Sequence, residues 1–64
     1  MTTDYAHTLG QRARRASDHG DEDGARALVR DVVRAATDLQ RRGQRDRGQA
    51  LAAAFERGYD GGEG

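Results

Sequence analysis

The sequence lacks cysteine, proline and lysine, and its only aromatic residues are two tyrosines and one phenylalanine. Without cysteine the chain has neither disulfides, nor thiolate metal sites, nor a cysteine nucleophile. A chain of 64 residues buries only roughly 60% of the surface that its unfolded form exposes. We therefore expect a marginal core that a metal ion or oligomerisation would have to supplement.

Long hydrophobic runs are also absent, and no basic segment followed by an apolar stretch opens the chain. We therefore expect no secretion signal and no membrane span, and a cytoplasmic protein. The 11 basic and 11 acidic residues cancel, so no overall field favours nucleic acid or an anionic membrane. Because every basic residue is arginine and alanine and glycine are abundant, we expect a GC-rich, bacterial source.

The central segment carries the clearest pattern, because its apolar residues recur at the three-and-four spacing of one helical face. These residues are Ala25, Leu28, Val29, Val32, Val33, Ala36 and Leu39. Asp21 is placed to cap such a helix and Gly43 to end it. The pattern predicts a helix over residues 22–42.

Two further helices are predicted on either side, over residues 4–18 and 45–57. Thr2 or Thr3 would cap the first helix, and Gly20 and Gly58 would end the first and third. The expected buried side chains of these two helices are Tyr5, Leu9, Ala13 and Ala16, then Leu51, Phe55 and Tyr59. No alternating apolar run predicts a strand. We expect an all-α fold, a single three-helix domain of antiparallel hairpins over residues 1–59 completed by oligomerisation, with a disordered glycine-rich tail at 60–64.

The acidic turn before the second helix resembles part of a calcium-binding loop in its spacing. His19, Asp21, Asp23 and Gly24 fall at the first, third, fifth and sixth positions of such a loop. The twelfth position requires a bidentate glutamate, and here it is Arg30. Histidine at the first position is also a poor ligand for a hard cation. Helix capping explains these residues better, so we expect no metal.

Catalytic arrangements are equally incomplete. Ser17 is the sole serine and lies near His19 and Asp21, but three polar residues are ordinary in a turn, and no oxyanion-hole or phosphate-loop motif accompanies them. His7 and His19 would lie about 18 Å apart on a straight helix, too far to share one metal ion. We expect a protein that is not an enzyme and has no cofactor.

A band of arginines follows the apolar face of the second helix at about 100° per residue. Its members are Arg26, Arg30, Arg34 and Arg41. Such an arginine ridge could bind phosphates in a bidentate manner, although the same side chains could cover the apolar edge and pair with acids. Because of this ridge, a small nucleic-acid-binding regulator is the alternative function. A helix-turn-helix is not the expected form of it, since an alignment through Gly43 places Gln49 where that motif needs an apolar residue.

The preferred function is a small helical protein-interaction module that self-associates through its second helix, as a homodimer. The apolar face spans about 140° of that helix, too wide for one neighbour to cover. The predicted interface comprises Leu28, Val29, Val32, Val33, Ala36 and Leu39, with Leu51 and Phe55 from the third helix. A third possibility is an adaptor whose apolar face is covered by a different protein partner.

Overall fold

The computed structural model describes residues 1–61 of the chain. It contains three helices, α1 (Thr3–Asp18), α2 (Glu22–Arg41) and α3 (Arg45–Gly61), and no strand among the described residues. The predicted all-α, three-helix fold is confirmed. None of the helices in residues 1–61 is both long enough and apolar enough to cross a membrane.

The helix starts follow the capping chemistry read from the sequence. The backbone N–H of Tyr5 donates to the hydroxyl of Thr2 at 3.1 Å, and the N–H of Gly24 donates to the carboxylate of Asp21 at 3.0 Å. Each cap satisfies one of the backbone donors that the first turn of a helix leaves unpaired. Thr2, rather than Thr3, is thus the cap of α1, and Asp21 is confirmed as the cap of α2.

The two turns share one geometry. Gly20 and Gly43 have φ values of 81° and 82°, the left-handed conformation that glycine adopts without steric penalty. In the first turn the N–H of Asp21 donates to the carbonyl of Ala16 at 2.8 Å, and in the second the N–H of Gln44 donates to that of Leu39 at the same distance. These bonds define Schellman motifs at the two glycines that were predicted to stop α1 and α2. The helix α2 ends at Arg41, one residue before the predicted end.

The predicted end of α3 is wrong, because the helix passes through Gly58 and ends at Gly61. A glycine ends a helix when it takes a positive φ, and within residues 1–61 only Gly20 and Gly43 do so. Asp60 and Gly61, assigned to the disordered tail from the sequence, are helical. The remaining residues of that predicted tail, 62–64, lie outside the described residues.

Glycines inside helices allow the backbones to approach closely. A Cβ atom on Gly10 would overlap the carbonyl oxygen of Phe55, and one on Gly58 would overlap that of His7. A Cβ on Gly48 would lie 2.8 Å from the carbonyl oxygen of Ala36. Glycine inside a helix is unfavourable by about 1 kcal/mol relative to alanine, so these positions exchange helix propensity for close packing of α1 and α2 against α3.

The core consists of two small clusters. Leu9, Ala13, Val32 and Phe55 form the first, and Ala6, Leu51 and Ala54 form the second. Leu9 and Ala13 were expected on the buried side of α1, but Tyr5 is 49% exposed and Ala6 is buried in its place. Along α1, successive contacts move towards the C-terminus of α3, so these two helices are parallel and in direct contact. The helix α2 packs against both of them and runs antiparallel to them.

Candidate interaction surface

The residues predicted as an interface divide into buried and exposed groups. Val32, Ala36, Leu51 and Phe55 are at most 8% exposed, because they lie where the three helices pack against one another. Leu28 and Leu39 are half-buried at the edge of the same core. These six side chains stabilise the protomer, and the four buried ones are inaccessible to a partner while the chain is folded.

Val29 and Val33 are the predicted interface residues that stay open to solvent. Their exposed fractions are 39% and 54%, and they lie one helical turn apart on α2. We call this pair the valine stripe. Isolated exposed apolar residues are common on protein surfaces, so the significance of the stripe depends on what adjoins it.

An open groove of about 360 Å³ adjoins the valine stripe between α2 and α3. Its apolar lining comes from Ala25, Val29, Phe55 and Tyr59, and its charged lining from Arg26, Glu56 and Asp60. The rings of Phe55 and Tyr59 are stacked, with centroids 6.5 Å apart and an angle of 17° between their planes. The stripe and this α2/α3 groove together form a continuous apolar surface with charged edges.

Tyr59 lies at one end of the groove and is contacted by Arg14 of α1. The guanidinium of Arg14 donates to the Tyr59 carbonyl oxygen at 3.2 Å and lies 5.7 Å from the centre of the tyrosine ring. Asp18 holds the same guanidinium through an ion pair of 3.3 Å. The last turn of α3 contains no basic residue of its own, so Arg14 supplies a cation near the negative end of that helix.

Two other grooves formed by residues 1–61 have a more polar lining. The groove between α1 and α2, of about 490 Å³, brings Asp31, Arg34 and Asp38 beside Tyr5. A smaller one, of about 270 Å³, includes Met1 and Arg47. Of these three grooves, the α2/α3 groove is the one that includes a residue of the valine stripe, Val29.

The predicted arginine ridge is divided between two faces. Arg26 borders the α2/α3 groove, and Arg34 borders the groove between α1 and α2. Arg26 pairs with Asp23 at 3.9 Å. Within residues 1–61, Arg30, Arg34 and Arg41 form no ion pair with an acidic side chain. All four arginines are exposed.

Two of the residues considered for catalysis or metal binding, Asp21 and His19, instead form part of the turn between α1 and α2. The Asp21 carboxylate caps α2, and the His19 backbone N–H closes α1 by donating to the carbonyls of Arg15 and Ala16. In the part of the chain that the structure describes, no group of three or more His, Cys, Asp or Glu side chains could hold a metal ion.

Comparisons of the chain with protein-family models, curated proteins and solved structures found no match. The functional interpretation therefore depends on the surface itself. Glu56 and Asp60 form one edge of the α2/α3 groove, and neither was among the site residues predicted from the sequence. Their spacing of four residues was the available signal, because it places them on one face of a helix.

Proposed function

We propose that the protein is a small non-catalytic interaction module that forms a homodimer through α2. The observation that supports this is the valine stripe beside the apolar α2/α3 groove. Val29 and Val33 are large apolar side chains left uncovered by α1 and α3, and the groove extends their surface towards Tyr59. A second copy could cover this surface without opening the core.

A chain this short gains stability from any further burial of apolar surface. Full burial of a valine side chain contributes roughly 1.5–3 kcal/mol. In the monomer Val29 and Val33 are still 39% and 54% exposed, so an interface that covers them would gain the remaining part of this free energy. Native domains are stable by only about 5–15 kcal/mol, and small chains lie at the low end. Dimerisation that buries both valines would thus add substantially to the stability of each protomer.

The proposal is tested by measuring mass across a concentration series, using sedimentation velocity or size exclusion with light scattering. We expect a concentration-dependent dimer for the wild-type chain. Val33→Gln should shift the equilibrium towards the monomer while keeping the helical circular dichroism, because glutamine is a good helix former that must lose its hydration in the interface.

Ala27→Gln is the matched control, since Ala27 is exposed on α2 and lies about 120° around the helix from Val33. This variant should dimerise like the wild type. A wild-type chain that stays monomeric and fully helical at the highest concentration measured would refute self-association. Equal dimerisation of Val33→Gln and wild type would show that the valine stripe is not the interface.

The second candidate function is nucleic-acid binding through the arginine ridge. Arg30, Arg34 and Arg41 are exposed and, within residues 1–61, unpaired with acids. Fluorescence anisotropy with duplex DNA and RNA at low salt tests it. This function predicts affinity that falls steeply with added salt and is lost in the double variant Arg30→Ala/Arg34→Ala. Absence of binding at low salt would exclude it.

A further inference from the structure

We infer that the α2/α3 face receives a second copy of this chain with the basic edge of α2 lying along the acidic edge of the partner's α3. The inference rests on the proposed self-association and specifies its geometry. Its basis is the distribution of charge on either side of the apolar surface. It predicts which charged residues decide the pairing, so it can fail while self-association itself holds.

Charged residues lie on both sides of the apolar surface. On α2, Arg26 and Arg30 lie just beyond the valine stripe at about 100° per residue, on the side away from the core. On α3, Glu56 and Asp60 line the groove. The apolar surface therefore lies between a basic edge on one helix and an acidic edge on the other.

Residues of α2 and α3 can be compared by their height along the common direction of the two helices, which we call their level. The groove brings Ala25 and Arg26 beside Tyr59 and Asp60, and nearer the second turn Gly48 meets Ala36. Because α2 and α3 are antiparallel, each step up α2 corresponds to a step down α3. Arg26 is then level with Asp60, and one turn further on Arg30 is level with Glu56.

The symmetry of a homodimer determines which of these residues face each other. Most homodimers have a two-fold axis, which makes every contact occur twice. An axis that lies in the interface and parallel to the helices places α2 opposite the partner's α3 at the same level. Arg30 then faces the partner's Glu56, and Arg26 faces the partner's Asp60. Placing α2 against the partner's α2 would instead bring the two basic edges together.

The charged groups are available for these contacts. The ion pairs of residues 1–61 involve Asp18, Asp23 and Asp38, so Glu56, Asp60 and Arg30 are not engaged within the protomer. The pair of Arg26 with Asp23 is 3.9 Å long and its carboxylate is 99% exposed, so it is weak and readily exchanged. Opposite charges across an interface mainly determine orientation and partner choice.

Charge reversal tests the inference. Arg30→Glu and Glu56→Arg each convert two attractive contacts of the dimer into repulsive ones, so each variant alone should dimerise roughly tenfold more weakly. An equimolar mixture should form the heterodimer, because both contacts are then attractive. Native mass spectrometry resolves the species by mass, and sedimentation gives the affinities.

Two controls accompany this measurement. The double variant Arg30→Glu/Glu56→Arg should recover homodimerisation. Arg12→Glu is the same charge change at an exposed position of α1, a helix that contributes no lining residue to the α2/α3 groove, and it should leave dimerisation unchanged. Circular dichroism checks that every variant is helical. Selective heterodimer formation supports the inference. Dimers that tolerate both reversals, or that are weakened as much by Arg12→Glu, overturn it while self-association stands, whereas a monomeric wild type overturns both.

Discussion

Gly10 of α1 and Gly58 of α3 pack reciprocally, each against the backbone of the opposite helix. Gly10 lies against the carbonyl oxygen of Phe55, and Gly58 lies against that of His7. The contact lets two parallel helices approach without intervening side chains. The small residues Ala6 and Ala54, both at most 1% exposed, continue the same close packing, so the α1–α3 contact depends on the absence of side-chain volume.

Gly58→Ala should therefore destabilise the protein although alanine is the better helix former. Inserting a methyl group into well-packed structure is unfavourable by about 1–3 kcal/mol, and here the obstacle is backbone, which moves less easily than a side chain. The gain in helix propensity offsets about 1 kcal/mol. Because the obstacle is backbone, we place the cost in the upper part of that range, about 2–3 kcal/mol, and expect a net loss of roughly 1–2 kcal/mol, measured by urea unfolding at one fixed protein concentration.

Gly61→Ala is the control for this prediction. Gly61 lies in the same helix, and a Cβ there would meet no atom within 4 Å, so this change should be neutral or slightly stabilising. Gly10→Ala should behave like Gly58→Ala, because it alters the other half of the contact. Equal stability of Gly58→Ala and Gly61→Ala would show that the two helices are not closely packed at this point.

Substituting glutamine should lower the free energy of unfolding far more at Val32 than at the adjacent Val33. Val32 is 3% exposed and Val33 is 54% exposed. Val32→Gln removes apolar contacts and buries an amide without partners, which should destabilise by about 3 kcal/mol or more. In so small a domain this should abolish most of the helical circular dichroism, whereas Val33→Gln should unfold within about 0.5 kcal/mol of wild type.

The measurement for this pair is helicity and urea unfolding at a concentration where both chains are monomeric, so that association does not enter. Comparable losses in the two variants would contradict the assignment of Val32 to the core and Val33 to the surface.

Much of the fold could be predicted from the sequence, because local signals agree with the tertiary structure. Asp21 and Gly43 are a cap and a stop whose chemistry acts within a few residues. The end of α3 was mispredicted because the same residue type has two uses. Gly58 serves as a packing residue, and only the position of α1 reveals this. A glycine inside a helical pattern was the available warning.

The candidate site was less predictable, because a helical pattern shows which face is apolar but not how much of it the protomer covers. Val32 and Val33 belong to the same periodic face, yet the approach of α1 and α3 buries one and leaves the other open. The acidic edge formed by Glu56 and Asp60 acquires meaning only when α2 is placed beside it. Both features depend on contacts distant in sequence.

The two turns should be sensitive to loss of glycine for a purely backbone reason. Nothing lies within 4 Å of a Cβ built on Gly20 or Gly43, but their φ values are 81° and 82°. A residue with a side chain in this conformation is unfavourable by about 1–2 kcal/mol. We expect Gly20→Ala and Gly43→Ala each to lose about 1 kcal/mol in thermal unfolding, a decrease in midpoint of roughly 4–8 °C.

Asparagine distinguishes conformation from other causes, since it tolerates the left-handed region better than alanine. Gly43→Asn should recover part of the loss seen in Gly43→Ala. If alanine and asparagine were equally destabilising, or if neither had an effect, the Schellman geometry of that turn would be in doubt.

Arg14 should stabilise the fold more than an ordinary surface arginine. Its guanidinium donates to the Tyr59 carbonyl, lies near that ring and pairs with Asp18. A charge-assisted hydrogen bond and a helix-end cation each contribute up to about 1–2 kcal/mol, but the side chain is 43% exposed, so solvent screening reduces the sum. Arg14→Gln should lose roughly 1 kcal/mol in urea unfolding.

Arg15→Gln is the matched control, since Arg15 is the exposed neighbour on the same helix and the charge change is the same. It should unfold within about 0.5 kcal/mol of wild type. Arg14→Lys should fall between, because lysine keeps the charge but not the planar donor set that reaches carbonyl and ring together. The difference between wild type and Arg14→Gln should decrease in 1 M salt as the charge contribution is screened. If Arg14→Gln matched Arg15→Gln at low salt, Arg14 would not connect α1 to the end of α3, and Tyr59 would rest against α1 by packing alone.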